Sequence, residues 1–250
     1  MAASLATLIS GQVSSGDNID IDGILCHLNS SIERVLNEII NLPEQEDSHI
    51  SLYGPYLGRS LMELTATALI ARLDPLRILV VKGNQGLSSY DLGKPQKASI
   101  NWKDDFIADD NAGEIWTDKS LKEPWRAIFG NYNLKLVLKP AWEKLNDIVT
   151  EDDIGDWYQF LTQEGVLTRT RNRMKSLYST LSKGIHHEMV MPLESILDNN
   201  TVKTNLNEVV QLVATLSLIV AFVPYSYAKH DADAAFALYK SAKRLELEIK

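Results

Sequence analysis

The chain has 250 residues, 45% hydrophobic and 23% charged, the balance of an ordinary globular protein with one large domain or two small ones. A formal net charge of −8 argues against a nucleic-acid binder taken as a whole. A single cysteine, Cys26, excludes an internal disulfide and the multi-cysteine zinc sites, and suits a reducing cytoplasm.

The opening MAASLATLISGQVSSGDN has no basic stretch before its short apolar run, so it does not read as a signal peptide. It reads as a flexible N-terminal arm over residues 1–20, followed by a single helical domain over 21–250. The first helix is expected over Asp22–Asn41, where Leu25, Leu28, Ile32, Val35, Leu36 and Ile39 form one apolar stripe. NLPEQEDSH then reads as a polar loop. The second helix is expected from Pro55, as its first residue, to Leu73, and is apolar on several sides, as a central helix would be. Asp74 followed by Pro75 predicts a cap and a new short helix stopping near Gly83, although RILVV is also compatible with a strand.

Residues 84–118 form an irregular insert, with glycines at 83, 86, 93 and 113. Helices are expected again over Lys119–Phe129 and Leu134–Val149, the latter kinked or restarted at Pro140. Thr150–Asp153 resembles a capping box leading into Ile154–Gln163, with Gly165 as the stop. A long basic helix, about Thr168–Val190, carries Met174, Leu177, Tyr178, Leu181 and Ile185 on its inner stripe and ends before Pro192. Asn205 and Glu208 predict a capping box for an apolar helix over 206–223, ended by Pro224. Its fifteen-residue apolar run, Val209–Val223, is shorter than the roughly 20 residues a membrane span needs, so it reads as a buried core helix and no membrane is implied. An amphipathic helix over Asp231–Ile249 closes the chain. The fold class is therefore all-α (predominantly α), a multi-helix globular bundle of seven or eight helices with one irregular middle segment.

The chemistry is concentrated in few places. From Gly165 to His187 there is no acid, while Arg169, Arg171, Arg173, Lys175 and Lys183 give five positive charges, so a local basic patch sits on an acidic body and is the candidate contact for nucleic acid or an acidic partner. His186 and His187 are adjacent and so point about 100° apart on a helix. Neither has a ligand at i±3 or i±4, and no metal or cofactor is expected. Lys183, one turn before them, would favour a neutral imidazole; equally, the group is the cationic end of a helix. Arg59 and Glu63 stand four apart and are expected to pair, with Arg72 further along the same apolar helix. Asp104, Asp105, Asp109, Asp110 and Glu114 read as a solvated acidic loop rather than a magnesium site. Trp102 and Trp116, in the irregular segment, are expected to be protein-interface anchors. P-loop, dinucleotide-binding and nucleophile-elbow patterns do not occur.

Two stretches carry a likeness. RNRMKSLYSTLSKGIHH, with Arg171-Asn172 and the later histidines, resembles the HEPN ribonuclease family, helical proteins of bacterial conflict systems whose active site is an Arg followed by a His four to six residues on. That resemblance implies a metal-independent ribonuclease effector using Arg173, His186 and His187. Positions 176–178 hold no histidine, so the spacing departs from the family's pattern. GRSLMELTATALIARLDPLRILVVKGNQ, with INWKDDF, resembles helical accessory proteins of bacterial antiphage defence operons, such as the small subunits of Lamassu-like systems. This implies a non-catalytic cytoplasmic subunit assembled with other proteins, among them an SMC-type ATPase and a nuclease. The interaction subunit is the leading expectation and the ribonuclease the alternative.

Overall fold

The computed structural model describes residues 1–13, 18–88, 90, 128–130, 133–150, 157–186 and 197–245. Every regular element among them is helical and no strand occurs, so the protein is all-α. In chain order the α-helices are α1 (Ala2–Ser10), α2 (Ile19–Asn41), α3 (Asp47–Leu73), α4 (Pro75–Gln85), α5 (Lys139–Asn146), α6 (Trp157–Thr162), α7 (Val166–His186), α8 (Asn199–Ala221) and α9 (Ala232–Lys243). A 3₁₀ turn over Leu42–Glu44 joins α2 to α3, and a π-helical turn over Asn133–Leu138 leads into α5.

The centre of the bundle is α3, which packs against α2, α7 and α8. Close approach there depends on missing side chains. A Cβ on Gly54 would collide with Val202 of α8, and one on Gly184 of α7 would lie 2.8 Å from Pro55. The apolar helix α8 is buried, with Val209 to Val223 almost wholly shielded apart from Gln211. By length and composition it alone among the described helices is apolar enough to cross a membrane, yet 78% of its most apolar window is covered by the rest of the bundle. A helix apolar on every side belongs in a core, and Thr215 and Ser217 are reconciled with that position by hydrogen bonds to the Tyr239 hydroxyl and the Val213 carbonyl.

Several boundaries differ from those read in the sequence, each for a packing reason. The first ten residues are a docked helix and not a flexible arm. Leu5, Ala6, Leu8 and Ile9 of α1 are fully buried against α2, α8 and α9. The capture is specific. The buried Arg72 guanidinium donates from Nη1 to the Leu8 and Ile9 carbonyls, both at 3.0 Å, and from Nε to the Tyr227 carbonyl at 3.2 Å. These are the carbonyls that a helix C-terminus leaves unpaired. His230 Nε2 donates to the Thr7 carbonyl at 3.0 Å, and Gly11 turns the chain away at φ +88°, where a Cβ would strike Ala228.

The second helix begins at Asp47 and not at Pro55. Ile50, Ser51 and Gly54 bury one face of its first turns, so Pro55 lies inside the helix rather than at its start. At the next junction Asp74 is a genuine cap, its carboxylate accepting from the Arg77 amide at 3.2 Å, and RILVV is helical. Gly165, at φ +76°, separates α6 from α7 as expected. Asn205 does not cap α8, which starts seven residues earlier. Asp198 accepts from the Thr201 amide, and the buried face reaches back to Val202. The expected insert over 84–118 and the helix over Lys119–Phe129 fall almost entirely outside the described residues.

Candidate protein-interaction surface

The five cations of the acid-free stretch do not form one face. Arg169 and Arg173, four residues apart, share one flank of α7, while Arg171 and Lys175, also four apart, share the other. Arg173 and Arg169 are engaged by the protein's own groups. Arg173 makes a bidentate pair with Glu208 of α8, a contact that raises its pKa further. Arg169 donates to the Glu164 carbonyl at 2.7 Å and to that of Gln163 at 3.3 Å, caring for the last carbonyls of the preceding segment. Arg171 is half-buried, with its Nε atom making no hydrogen bond. Lys175 and Lys183 are exposed.

Arg173 and His186 are not neighbours along this helix. Thirteen residues separate Arg173 from His186, roughly 20 Å at 1.5 Å per residue. His186 is the last residue of α7, and His187 lies outside the described residues. Trp102, Trp116 and the acidic cluster Asp104–Glu114 also lie outside them. Two other tryptophans are structural. Trp142 donates to the Leu161 carbonyl at 2.8 Å, and buried Trp157 meets Tyr239 edge-on at 5.2 Å between ring centres.

The expected Arg59–Glu63 pair is present, Nε to Oε1 at 2.8 Å, with Tyr178 added from α7. Its hydroxyl donates to the same Glu63 oxygen at 3.0 Å, and the Arg59 guanidinium lies 4.7 Å above its ring. Burial pulls the Arg59 pKa down, but the Glu63 carboxylate and Tyr178 more than offset it, so the net shift is upward. The Tyr178 hydroxyl is pushed up, first by burial and then by the Glu63 charge. Arg59 is thereby held cationic and Tyr178 neutral. The cluster ties α3 to α7. No grouping of three or more His, Cys, Asp or Glu able to hold a metal occurs among the described residues.

What stands out instead is the N-terminal half of α3. His49, Leu52, Tyr53 and Tyr56 follow the i, i+3, i+4, i+7 spacing of one helix face, and all are exposed. Leu52 is 49%, Tyr53 47% and Tyr56 55% accessible, and the His49 ring stacks on Tyr53 with centres 4.3 Å apart. The stripe is about 10 Å long, two helical turns. The opposite face of the same turns is buried, through Ile50, Ser51, Gly54 and Leu57. The sequence reading, with His49 in a polar loop and the helix starting at Pro55, does not bring these residues onto one face. The signal was their spacing, which emerges once the helix is extended back to Asp47. A second, smaller apolar face lies on α4, where Leu76 and Val80 point away from buried Ile78 and Val81, with exposed Leu87 just beyond the helix.

No family model, no curated protein and no solved structure matches this chain.

Proposed function

We propose that the protein is a non-catalytic helical interaction subunit of a bacterial multiprotein complex, acting in the cytoplasm in antiphage defence. The observation that carries the interaction reading is the stripe His49, Leu52, Tyr53 and Tyr56. Isolated exposed apolar residues are normal on a protein surface, but Leu52, Tyr53 and Tyr56 at helical spacing on one helix, with the His49 ring stacked on Tyr53, form a patch. Tyrosine supplies apolar area and a polar tip with only two torsions to order, which is why it anchors interfaces. The defence context rests on the resemblance of residues 58–85 to accessory subunits of defence operons, and an SMC-type ATPase and a nuclease are the partners that resemblance proposes. Nucleic acid would be met secondarily, through the exposed cations Lys175 and Lys183 of α7.

The test is a chain tagged at its own locus. The complex is purified and its subunits counted, with and without the paired change Leu52→Ser and Tyr56→Ser. Stoichiometric partners that disappear from the variant, with the variant's melting temperature unchanged, support the reading. A chain that purifies alone and cleaves RNA, and loses cleavage with Arg173→Ala, would replace it with the ribonuclease alternative.

A further inference from the structure

Between Arg34 and Arg59 the chain has no lysine or arginine, while it holds Glu38, Glu44, Glu46 and Asp47. Glu44, Glu46 and Asp47 are exposed and stand two to five residues before His49, the first residue of the stripe, where the chain enters α3. The one hydrogen bond described for their side chains is that of Asp47 to the Asn199 amide, and none of the described ion pairs includes them. The patch is thus an apolar, aromatic strip with an acid margin, and Arg59, the next residue along the same face, is already paired with Glu63.

Building on the reading of this stripe as the docking surface, we infer that its occupant is a basic amphipathic helix of a partner protein. The apolar anchors of that helix lie along Leu52, Tyr53 and Tyr56, and its lysines or arginines meet Glu44 and Glu46. Three alternatives fit the same patch less well. Exposed tyrosines can stack on nucleic-acid bases, but the acid margin repels phosphates at the same place. An anionic lipid surface is repelled for the same reason. A second copy of the chain brings the same acids to meet these acids if the stripes pair face to face. Its basic helix α7 has already spent its apolar side, because Met174, Leu177, Tyr178 and Leu181 are buried in its own bundle. Only a partner that carries both anchors and cations satisfies both halves of the patch.

The decisive experiment uses the intact complex purified from the host. Zero-length carbodiimide cross-linking, which joins a carboxylate to a lysine in contact with it, is read by mass spectrometry. The expected result links Glu44 or Glu46 to lysines in an amphipathic helical segment of another polypeptide. Glu44→Lys with Glu46→Lys should then lower the partner retained by about tenfold, with Glu44→Gln and Glu46→Gln intermediate. Links only to a second copy, or retention that is abolished by nuclease treatment, overturn the inference. If Leu52→Ser with Tyr56→Ser removes the partner while charge reversal leaves it bound, the docking surface stands and its basic occupant is overturned. If neither pair of changes affects the partner, both are overturned.

Discussion

The two halves of α3 are built for different purposes, and the contrast is sharper than any between separate helices. From Leu61 to Arg72 every side chain is buried or half-buried, and the last of them, Arg72, is wholly enclosed. Burial lowers the Arg72 pKa to about 10, so it still carries its charge at neutral pH, and it places that charge on the carbonyl end of α1 rather than on a carboxylate. From Asp47 to Gly58 one face packs and the other offers two tyrosines, a leucine and a histidine to solvent. In the first case a costly polar group is retained because it fixes the N-terminal helix. In the second, apolar groups are left outside although the bundle has no need of them. Helix α7 shows that charge asymmetry in the sequence is a weaker guide than either. Arg173 and Arg169 are satisfied by the protein itself, through Glu208 and the Gln163 and Glu164 carbonyls.

That contrast can be broken by substitution. Arg72→Leu strips the two buried carbonyls of Leu8 and Ile9 and the part-buried one of Tyr227 of their donor; at roughly 1–3 kcal/mol for each buried one left unpaired, a total loss of about 3 kcal/mol is expected in urea unfolding. A loss under about 1 kcal/mol would mean that α1 is held by its apolar face alone.

Acid probes the same end of the molecule. His230 is almost fully buried. Its pKa falls below 6.5 through burial; the bond to the Thr7 carbonyl pulls it back in part, and the Arg72 charge adds a smaller downward push against a still smaller upward one from Asp231. The unfolded chain therefore binds this proton more readily than the folded one, and stability should drop as pH falls from about 6.5 through the folded-state pKa. Hydrogen exchange of the α1 amides should quicken over that window, and His230→Gln should flatten the response. An unchanged α1 would separate His230 from the docking of that helix.

Smaller still is the expected effect of Arg173→Ala. An exposed ion pair with Glu208 is worth at most about 1 kcal/mol, and thermal unfolding should show a correspondingly small shift that high salt erases. The smallest stability effect belongs to the exposed stripe, where Leu52→Ser with Tyr56→Ser should stay within about 0.5 kcal/mol of the parent.

Much of this architecture was legible in the sequence, and the exceptions are instructive. The stripes of α2 and α7, the Asp74-Pro75 junction, the Gly165 stop and the core position of Val209–Val223 all follow from period, capping chemistry and length. Helix α1 escaped because nine residues carry too short a pattern to prove docking, and what captures them comes from residues 72, 227 and 230, far along the chain. The start of α3 escaped because a proline was taken as a beginning. Propensity disfavours Pro55 in a helix interior, but the burial of Ile50 and Ser51 overrides it. The candidate surface was hidden by that same error. The Arg59–Glu63 pair was visible from its spacing, whereas its third member, Tyr178, required the α3–α7 contact.

The most direct measurement compares the subunit content of the complex isolated from the host for the parent chain and for Leu52→Ser with Tyr56→Ser, alongside the melting temperature of each purified chain. Loss of the partner with an unchanged melting temperature is the predicted result. A fully retained partner would contradict the assignment of this stripe as the interaction surface.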